Sequence, residues 1–464
     1  MLRYTLLTLV VGFLSIYAFK DWYKALCGLI VMMSIIERYD MPRQMFGVTG
    51  LNPWNLLMLF ILVGWFISRK REQLSWTMPR EITVLLICYF VIIVIGFSRM
   101  LADIEAVEIF NINAGLPDRA ATKDYFIDDI FNSLKYVLPG LLLFHGCNSA
   151  SRLRLGMGAI MLTLLLLGLQ IIKWMPLGYI ADGEALAARA LSVLNKGLGY
   201  HRVDLAALMA AGSWAFVVSR SAFQKAWQSR AMLGLGALLI LSLALTGGRT
   251  GYATWVALGL MVAVLKYRRL LFAIPVMIIL VVSLVPAVQE RMLEGFGSDS
   301  SVRIVGEETT DLASVTSGRI LVWPLVLESI SEKPFFGWGR RGFHLSGSSQ
   351  ELFDLIGQGA GRFNHPHNAY LELILDNGLI GALPIFLFFG LTLWRSNRLF
   401  QDKDSPLIAA AGGICLVLTT AQLVASLGAQ SFYPRAGVVL MWCSIGLMYA
   451  VYSRSRYGRR ATEE

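Results

Sequence analysis

The sequence is short of charge. Asp, Glu, Lys and Arg make up only 16% of its 464 residues, against 56% hydrophobic residues. A soluble domain carries about 25% charged and about 45–50% apolar residues. A soluble chain of this length would divide into roughly two to four domains; the apolar excess implies one membrane bundle instead. Cysteine is scarce too. The five cysteines (Cys27, Cys88, Cys147, Cys415, Cys443) all lie in or at the end of apolar segments, without C-x-x-C spacing. That excludes a disulfide scaffold and a cysteine-based zinc module. There are five histidines, and no repeat, low-complexity tract or long linker. What the chain has is a net charge of +10. In a soluble protein this would suggest nucleic acid. In a membrane protein it is the sum of the cytoplasmic loops, so no nucleic-acid partner is expected.

A spanning helix takes about 20 mostly apolar residues, roughly 17–25. Thirteen stretches qualify as candidates: 4–19, 22–36, 54–68, 82–101, 132–147, 155–175, 203–219, 231–246, 250–265, 270–288, 375–394, 406–427 and 435–452. Lys20 and Asp21 split the first two, so twelve or thirteen crossings are expected. No A-x-A-like cleavage site follows Phe19, and the first stretch reads as a retained anchor. The basic residues recur in every second loop: Arg69, Lys70, Arg71 and Arg80, then Arg152 and Arg154, then Arg220, Lys225 and Arg230. Lys266, Arg268 and Arg269 follow, then Arg395, Arg398 and Lys403, and the tail carries Arg454, Arg456, Arg459 and Arg460. These loops and the C-terminus face the cytoplasm. Residues 98–132 hold three basic and seven acidic residues and face outward, as does the longest loop, 289–374. The side of the N-terminus depends on whether the first two stretches make one crossing or two.

The spans carry almost no charge, whereas a transporter keeps ionisable residues near the membrane midplane. Polar information concentrates in the outward loops. Thr246-Gly247-Gly248-Arg249-Thr250 closes a very short outer turn, which puts Arg249 at the headgroup level, as a snorkelling side chain or as a ligand group. Ser317-Gly318-Arg319 follows, with Trp323, Pro334 and Gly337-Trp338-Gly339-Arg340-Arg341-Gly342. A guanidinium binds phosphate oxygens through two parallel hydrogen bonds. The glycines spell G-x-G-x-x-G, but no βαβ unit surrounds them and a dinucleotide site is rejected. Arg340 and Arg341 are either solvated or supporting.

Asn364-His365-Pro366-His367-Asn368-Ala369-Tyr370-Leu371-Glu372 precedes the next span. Proline favours the first turn of a helix. Pro366 is therefore expected to open this helix and to put His367 in its first turn. Free N–H groups there suit a diphosphate, and the same field keeps a histidine neutral. Either His365 or His367 is a candidate base. Glu372 is placed to orient a histidine or to pair with Asn368. A metal site is not expected, since only His344 is available as a third ligand. Asp103, Glu105, Asp128 and Asp129 are the one acidic group that could hold a divalent cation; the preferred reading is the acidic outer loop of a positive-inside protein.

These residues resemble the signature of the O-antigen ligase family of bacterial membrane proteins, which includes O-antigen and exopolysaccharide polymerases and protein O-oligosaccharyltransferases. The likeness runs from about Thr246 to Gly381. It comprises Arg249, then Arg319 and Trp323, then Pro334-Phe335-Phe336-Gly337-Trp338-Gly339, then His367-Asn368-Ala369-Tyr370-Leu371-Glu372 and Gly378-Leu379-Ile380-Gly381. The N-terminal half matches only as a multi-span segment. The resemblance implies an all-α integral membrane protein, a GT-C-like bundle with one long periplasmic loop, in the bacterial inner membrane. Residues 1–245 would be N-terminal spans, 246–394 the signature region and 395–464 the C-terminal spans and tail. The implied enzyme is a glycosyltransferase without metal or cofactor. Its donor is a glycan on undecaprenyl diphosphate, and its acceptor is a lipid A core or another glycan at the periplasmic face. Other polysaccharide assembly proteins would be its partners. By position, Arg249 and Arg319 would bind the diphosphate, and His367, or His365, would serve the acceptor hydroxyl. Arg340, Arg341, Asn368 and Glu372 would support them. Positioned guanidinium groups stabilise a departing diphosphate, and an attacking alcohol needs a base. The rival reading is a transporter or flippase of anionic or lipid-linked glycans that uses the same arginines without bond formation. A central polar cavity would favour it, whereas a cavity open outward and sideways to lipid favours transfer.

Overall fold

The chain is seen in a computed structural model that describes residues 2–38, 40–42, 44–45, 47–113, 122–293, 303–304, 307–308, 319–356, 365–430 and 432–455. Ser317, Gly318, Asn364 and the tail residues Arg456, Arg459 and Arg460 lie outside the described residues. All thirteen apolar stretches fold as helices. The first ten are α1 (Leu2–Tyr17), α2 (Trp22–Ile36), α3 (Pro53–Arg71), α4 (Arg80–Ala102), α5 (Asn132–Gly146), α6 (Ala150–Trp174), α7 (Arg202–Ser219), α8 (Ala226–Leu245), α9 (Arg249–Leu265) and α10 (Leu270–Leu284). The long loop contributes α11 (Arg319–Glu332), and the last three apolar stretches form α12 (Ala369–Phe400), α13 (Pro406–Ala425) and α14 (Val439–Arg454). Only two-residue ladders, Gln44–Met45 with Val48–Thr49 and Arg303–Ile304 with Glu307–Glu308, depart from helix and loop among the described residues.

Seven of these helices, α4, α6, α7, α8, α12, α13 and α14, are long and apolar enough to cross a membrane. Four more, α1, α2, α9 and α10, are apolar but shorter. Helix α3 ends in Arg69, Lys70 and Arg71, and α5 has 15 residues. The molecule is an all-α integral membrane protein.

Local chemistry explains where the helices begin. Asp21, Asn52 and Ser149 each accept a hydrogen bond from the backbone three residues on, and proline opens α3 and α13. These devices satisfy amides that a helix start leaves free. Helices α7, α13 and α14 form the buried centre. Helix α10 instead shows Phe272, Val276, Ile279 and Leu280 on its exposed face. In lipid, association depends on close packing more than on apolar burial. Accordingly α5 and α14 meet at Gly140 and Gly446, where an added Cβ would come within 2.2 Å of Trp442 O and 1.9 Å of Gly140 O.

Ionisable side chains are sorted by end. At one end Glu72 accepts from Trp22 and pairs with Arg152 at 2.6 Å, Arg395 pairs with Glu81, and Lys266 donates to Phe400 O. These belong to the basic loops. The opposite end carries the loops 98–132 and 289–374, and its described part is folded. Val322, Val326, Phe343, Leu352 and Leu375 form a small core of their own beneath α11.

Candidate functional site

Helix α12 breaks at Gly378, which adopts φ 65° and ψ −179°. The break frees backbone groups that a continuous helix would use, and the turn Pro334–Gly339 takes them. Leu379 N donates to Pro334 O at 2.8 Å and Ile380 N to Phe335 O at 3.2 Å; in return Trp338 N donates to Leu375 O and Gly339 N to Asp376 O, both at 2.8 Å. Only glycine fits the contact. A Cβ on Gly378 would lie 2.2 Å from Phe335 O, and one on Gly337 would lie 2.5 Å from Leu375 O. Two motifs that are 40 residues apart in sequence therefore form one joint. Irregular backbone at membrane depth is tolerated where protein satisfies it.

The joint delivers Arg340 into a buried network. Arg340 Nε donates to Asp129 Oδ1 at 3.0 Å; Nη1 donates to Glu372 Oε1 at 2.8 Å and Asp376 Oδ2 at 3.1 Å. Its guanidinium lies 3.7 Å from the centre of the Tyr433 ring. Burial alone would lower its pKa, but Asp129, Tyr433, Glu372 and Asp376 hold it well above the ordinary value. Arg341 Nε donates to the other oxygen of Asp129 at 3.1 Å. A solvated Arg340 is thus overturned: a charge with three carboxylates around it stays buried. Glu372 also accepts from Gln430 Nε2 at 2.8 Å. It neither orients a histidine nor pairs with the Asn368 side chain. Asp129 has both oxygens on guanidinium groups. Burial pushes its pKa up, but Arg340 and Arg341 outweigh that and hold it low. The acidic-loop cation reading loses its inner ligand, and no group of three or more potential ligands occurs among the described residues.

The histidine segment corrects a second expectation. Asn368, not Pro366, starts α12: its Oδ1 accepts from Tyr370 N at 3.0 Å and Leu371 N at 3.3 Å. Ala369 N donates to Ser426 O at 2.8 Å. The first three amides of α12 are therefore occupied and form no diphosphate cradle. His367 lies before the cap, in the left-handed region at φ 51°. A non-glycine residue held there is strained, a feature that gathers at functional sites. His365 and His367 rings lie 4.1 Å apart, and His367 N donates to His365 Nδ1 at 3.1 Å. A neutral imidazole that accepts at Nδ1 carries its proton on Nε2. Burial, then His367, Arg435, Arg340 and His201, push the His365 pKa down to about 2. His365 is thus neutral, and its lone pair is occupied. His344 is elsewhere, buried against Ser349 Oγ at 3.0 Å.

Helix α11 ties the remaining parts together. Arg319 Nη2 donates to Gly428 O at 3.4 Å, and Trp323 Nε1, one turn on, donates to Pro366 O at 3.1 Å. The Arg-then-Trp spacing thus links the histidine segment to the segment after α13. Arg319 Nε is buried without a partner among the described residues. Burial lowers its pKa, and the nearby charge of Arg249 lowers it further. Arg249 also lies within electrostatic reach of Arg202, whose Nη1 is likewise buried without a partner.

Two kinds of space lie in this region. An apolar groove between α8, α9 and α10, of about 200 Å³, has Arg249 on its wall. It shares Ile240, Trp255 and Met277 with a second groove of about 890 Å³ that reaches Arg268 and Arg269 at the other end of the bundle. On the inner side lies a polar cavity of about 400 Å³ lined by His201, Asp204, Arg340, His365, Tyr433 and Arg435. His201, on the cavity wall, directly precedes Arg202 in the sequence, and Arg249 lies on the groove wall.

Sequence reading missed Arg202, His201 and the Arg435–Asp204 pair, which closes at 2.8 Å. The rule that selected Arg249, an ionisable residue at the outer mouth of a span, applies equally to His201, Arg202 and Asp204. Gln430 and Tyr433 gave no such signal. Tyr433 OH donates to Asp376 Oδ2 at 2.7 Å, a link that folding alone creates.

No curated protein matches the chain. A family model described as O-antigen ligase matches residues 234–386, a segment that contains Arg249, Arg319, the Gly378 joint and both site histidines. It supports glycan transfer of the ligase or polymerase type. Over residues 234–386 this membrane protein is similar to the O-antigen ligase family.

Proposed function

We propose that the protein transfers a glycan from undecaprenyl diphosphate to a sugar hydroxyl at the periplasmic face of the bacterial inner membrane, without a metal ion. The observation that carries this reading is that Arg249, on the wall of an apolar groove, lies within electrostatic reach of both Arg319 and Arg202. The groove suits a polyprenyl tail, and the arginines suit the diphosphate at its head. Arg319 Nε and Arg202 Nη1 are buried without a partner among the described residues, and desolvated, fixed guanidinium groups strongly stabilise developing negative charge.

In the proposed step an acceptor hydroxyl oxygen attacks the anomeric carbon of the donor. The new C–O bond forms as the bond from that carbon to the diphosphate oxygen breaks. The diphosphate leaves with the electron pair, held by Arg249 and Arg319. The hydroxyl proton passes to His367. His365, with its Nδ1 occupied, positions His367 and is not itself the base. Arg340, Arg341, Asn368 and Glu372 hold the frame. The confinement of the polar cavity to one end of the bundle supports transfer over the transporter or flippase reading.

Deletion followed by surface-glycan profiling tests this and assigns the acceptor. Single-repeat glycans are the polymerase result, and intact polymer stranded on the carrier is the ligase result; an unchanged profile would overturn the reading. Normal polymer output from a His365→Ala, His367→Ala double variant would remove the histidine from the mechanism. Full activity in excess EDTA is expected, and loss restored by magnesium would contradict metal independence.

A further inference from the structure

A second outer cavity, of about 750 Å³, opens beside the first and shares Asn132, Tyr136 and Gly199 with it. It lies among α2, α3 and α5, in the N-terminal half that the family model does not reach. Two polar groups on its wall have unmet hydrogen-bonding capacity. Lys135 is 7% exposed, and its Nζ sits 4.8 Å from the Trp54 ring centre and 4.7 Å from that of Tyr136; Glu37, on the same wall, acts on its charge from beyond ion-pair distance, and no hydrogen-bond acceptor reaches the Nζ among the described residues. Asn55 Oδ1 is buried without a donor, while its Nδ2 is spent on Gly50 O at 2.6 Å. Burying such groups unpaired is costly.

A buried donor and a buried acceptor on one wall match a ligand that both accepts and donates, which a sugar hydroxyl does. The volume falls in the range of roughly 300–1,000 Å³ typical of ligand sites, far more than ordered water needs. We infer that this cavity is the binding site for the saccharide of the acceptor, held by Lys135 and Asn55. The inference rests on the transfer reading. There the diphosphate lies on the arginine side, so the hydroxyl that attacks opposite the leaving group comes from the far side of the histidines. The cavity continues in that direction through Asn132 and Tyr136. The donor's own glycan starts at the diphosphate, on the other side.

Saturation-transfer NMR on the full chain in nanodiscs tests this, with two soluble probes: lipopolysaccharide core oligosaccharide, and the delipidated repeat unit of the source's surface polysaccharide. One of them is expected to bind the wild-type protein. Lys135→Gln should weaken binding at least tenfold, and so should Asn55→Trp, which fills the cavity from its rim. Arg249→Ala should change it less than twofold. Wild-type affinity in both cavity variants, or no binding of either probe, overturns the inference. The transfer reading fails separately, if the wild-type protein releases no glycan from undecaprenyl diphosphate while still binding the oligosaccharide.

Discussion

Two sets of arginines share one end of the bundle and stand in different states. Arg340 and Arg341 spend their charge on Asp129, Glu372 and Asp376. Arg202 and Arg319 keep buried nitrogens without partners, close to the charge of Arg249. The first arrangement is closed by ion pairs, with Glu372 Oε2 left buried without a partner among the described residues, and it holds the Pro334–Gly339 joint on α12. In the second, Arg319 Nε and Arg202 Nη1 have no partner among the described residues, and the proposed diphosphate would supply one. Proximity to the loop and residue type do not separate the two sets; the partners do.

The comparison breaks if the two sets respond alike to mutation. Arg249→Ala or Arg319→Ala should lower the transfer rate by about 10²–10³-fold at an unchanged protein level, as loss of one aimed donor does elsewhere. Arg319→Lys should not restore it, because an ammonium lacks the planar two-pronged fork; a single-turnover assay reads both. Arg340→Met should instead act on the fold. It strands three buried carboxylates, a loss of about 3–5 kcal/mol, visible as reduced membrane protein and a lower melting temperature. A fully folded Arg340→Met with a rate defect like that of Arg319→Ala would erase the distinction.

Smaller effects sharpen the role of the histidines. His365→Ala removes the acceptor of the His367 amide and should slow transfer about tenfold, the worth of roughly one hydrogen bond. His365→Asn, which can accept the same bond, should recover most of the rate. The smallest effect is on pH. The folded pKa of His365, about 2, is far below its ordinary value, so the unfolded chain takes up the proton first. Stability is then full above about pH 6.5 and falls as pH drops below it. Melting between pH 5 and 8 should show that slope, and His365→Asn should flatten it.

Much of this was legible in the sequence. Thirteen apolar stretches became thirteen helices, because apolar runs of that length have few alternatives in lipid. Arg249 and Arg319 were legible as isolated charges on the outer side. The errors came where long-range partners decide. Pro366 lost the helix start to Asn368, whose side chain caps two amides while Ser426 takes a third. Arg340 stood open between solvated and supporting because Asp129, 211 residues away, and Tyr433 come to it only in the folded chain. The Gly378 joint was visible as two glycine-rich motifs, but nothing in either one names the other as its partner.

The most direct test reconstitutes wild-type and Arg319→Ala protein in liposomes with an undecaprenyl-diphosphate-linked oligosaccharide and an acceptor glycan, in excess EDTA. Free undecaprenyl diphosphate and glycosylated acceptor are measured together. The account predicts equal amounts of the two from the wild-type protein and neither above background from Arg319→Ala. Transfer by Arg319→Ala at the wild-type rate would contradict it.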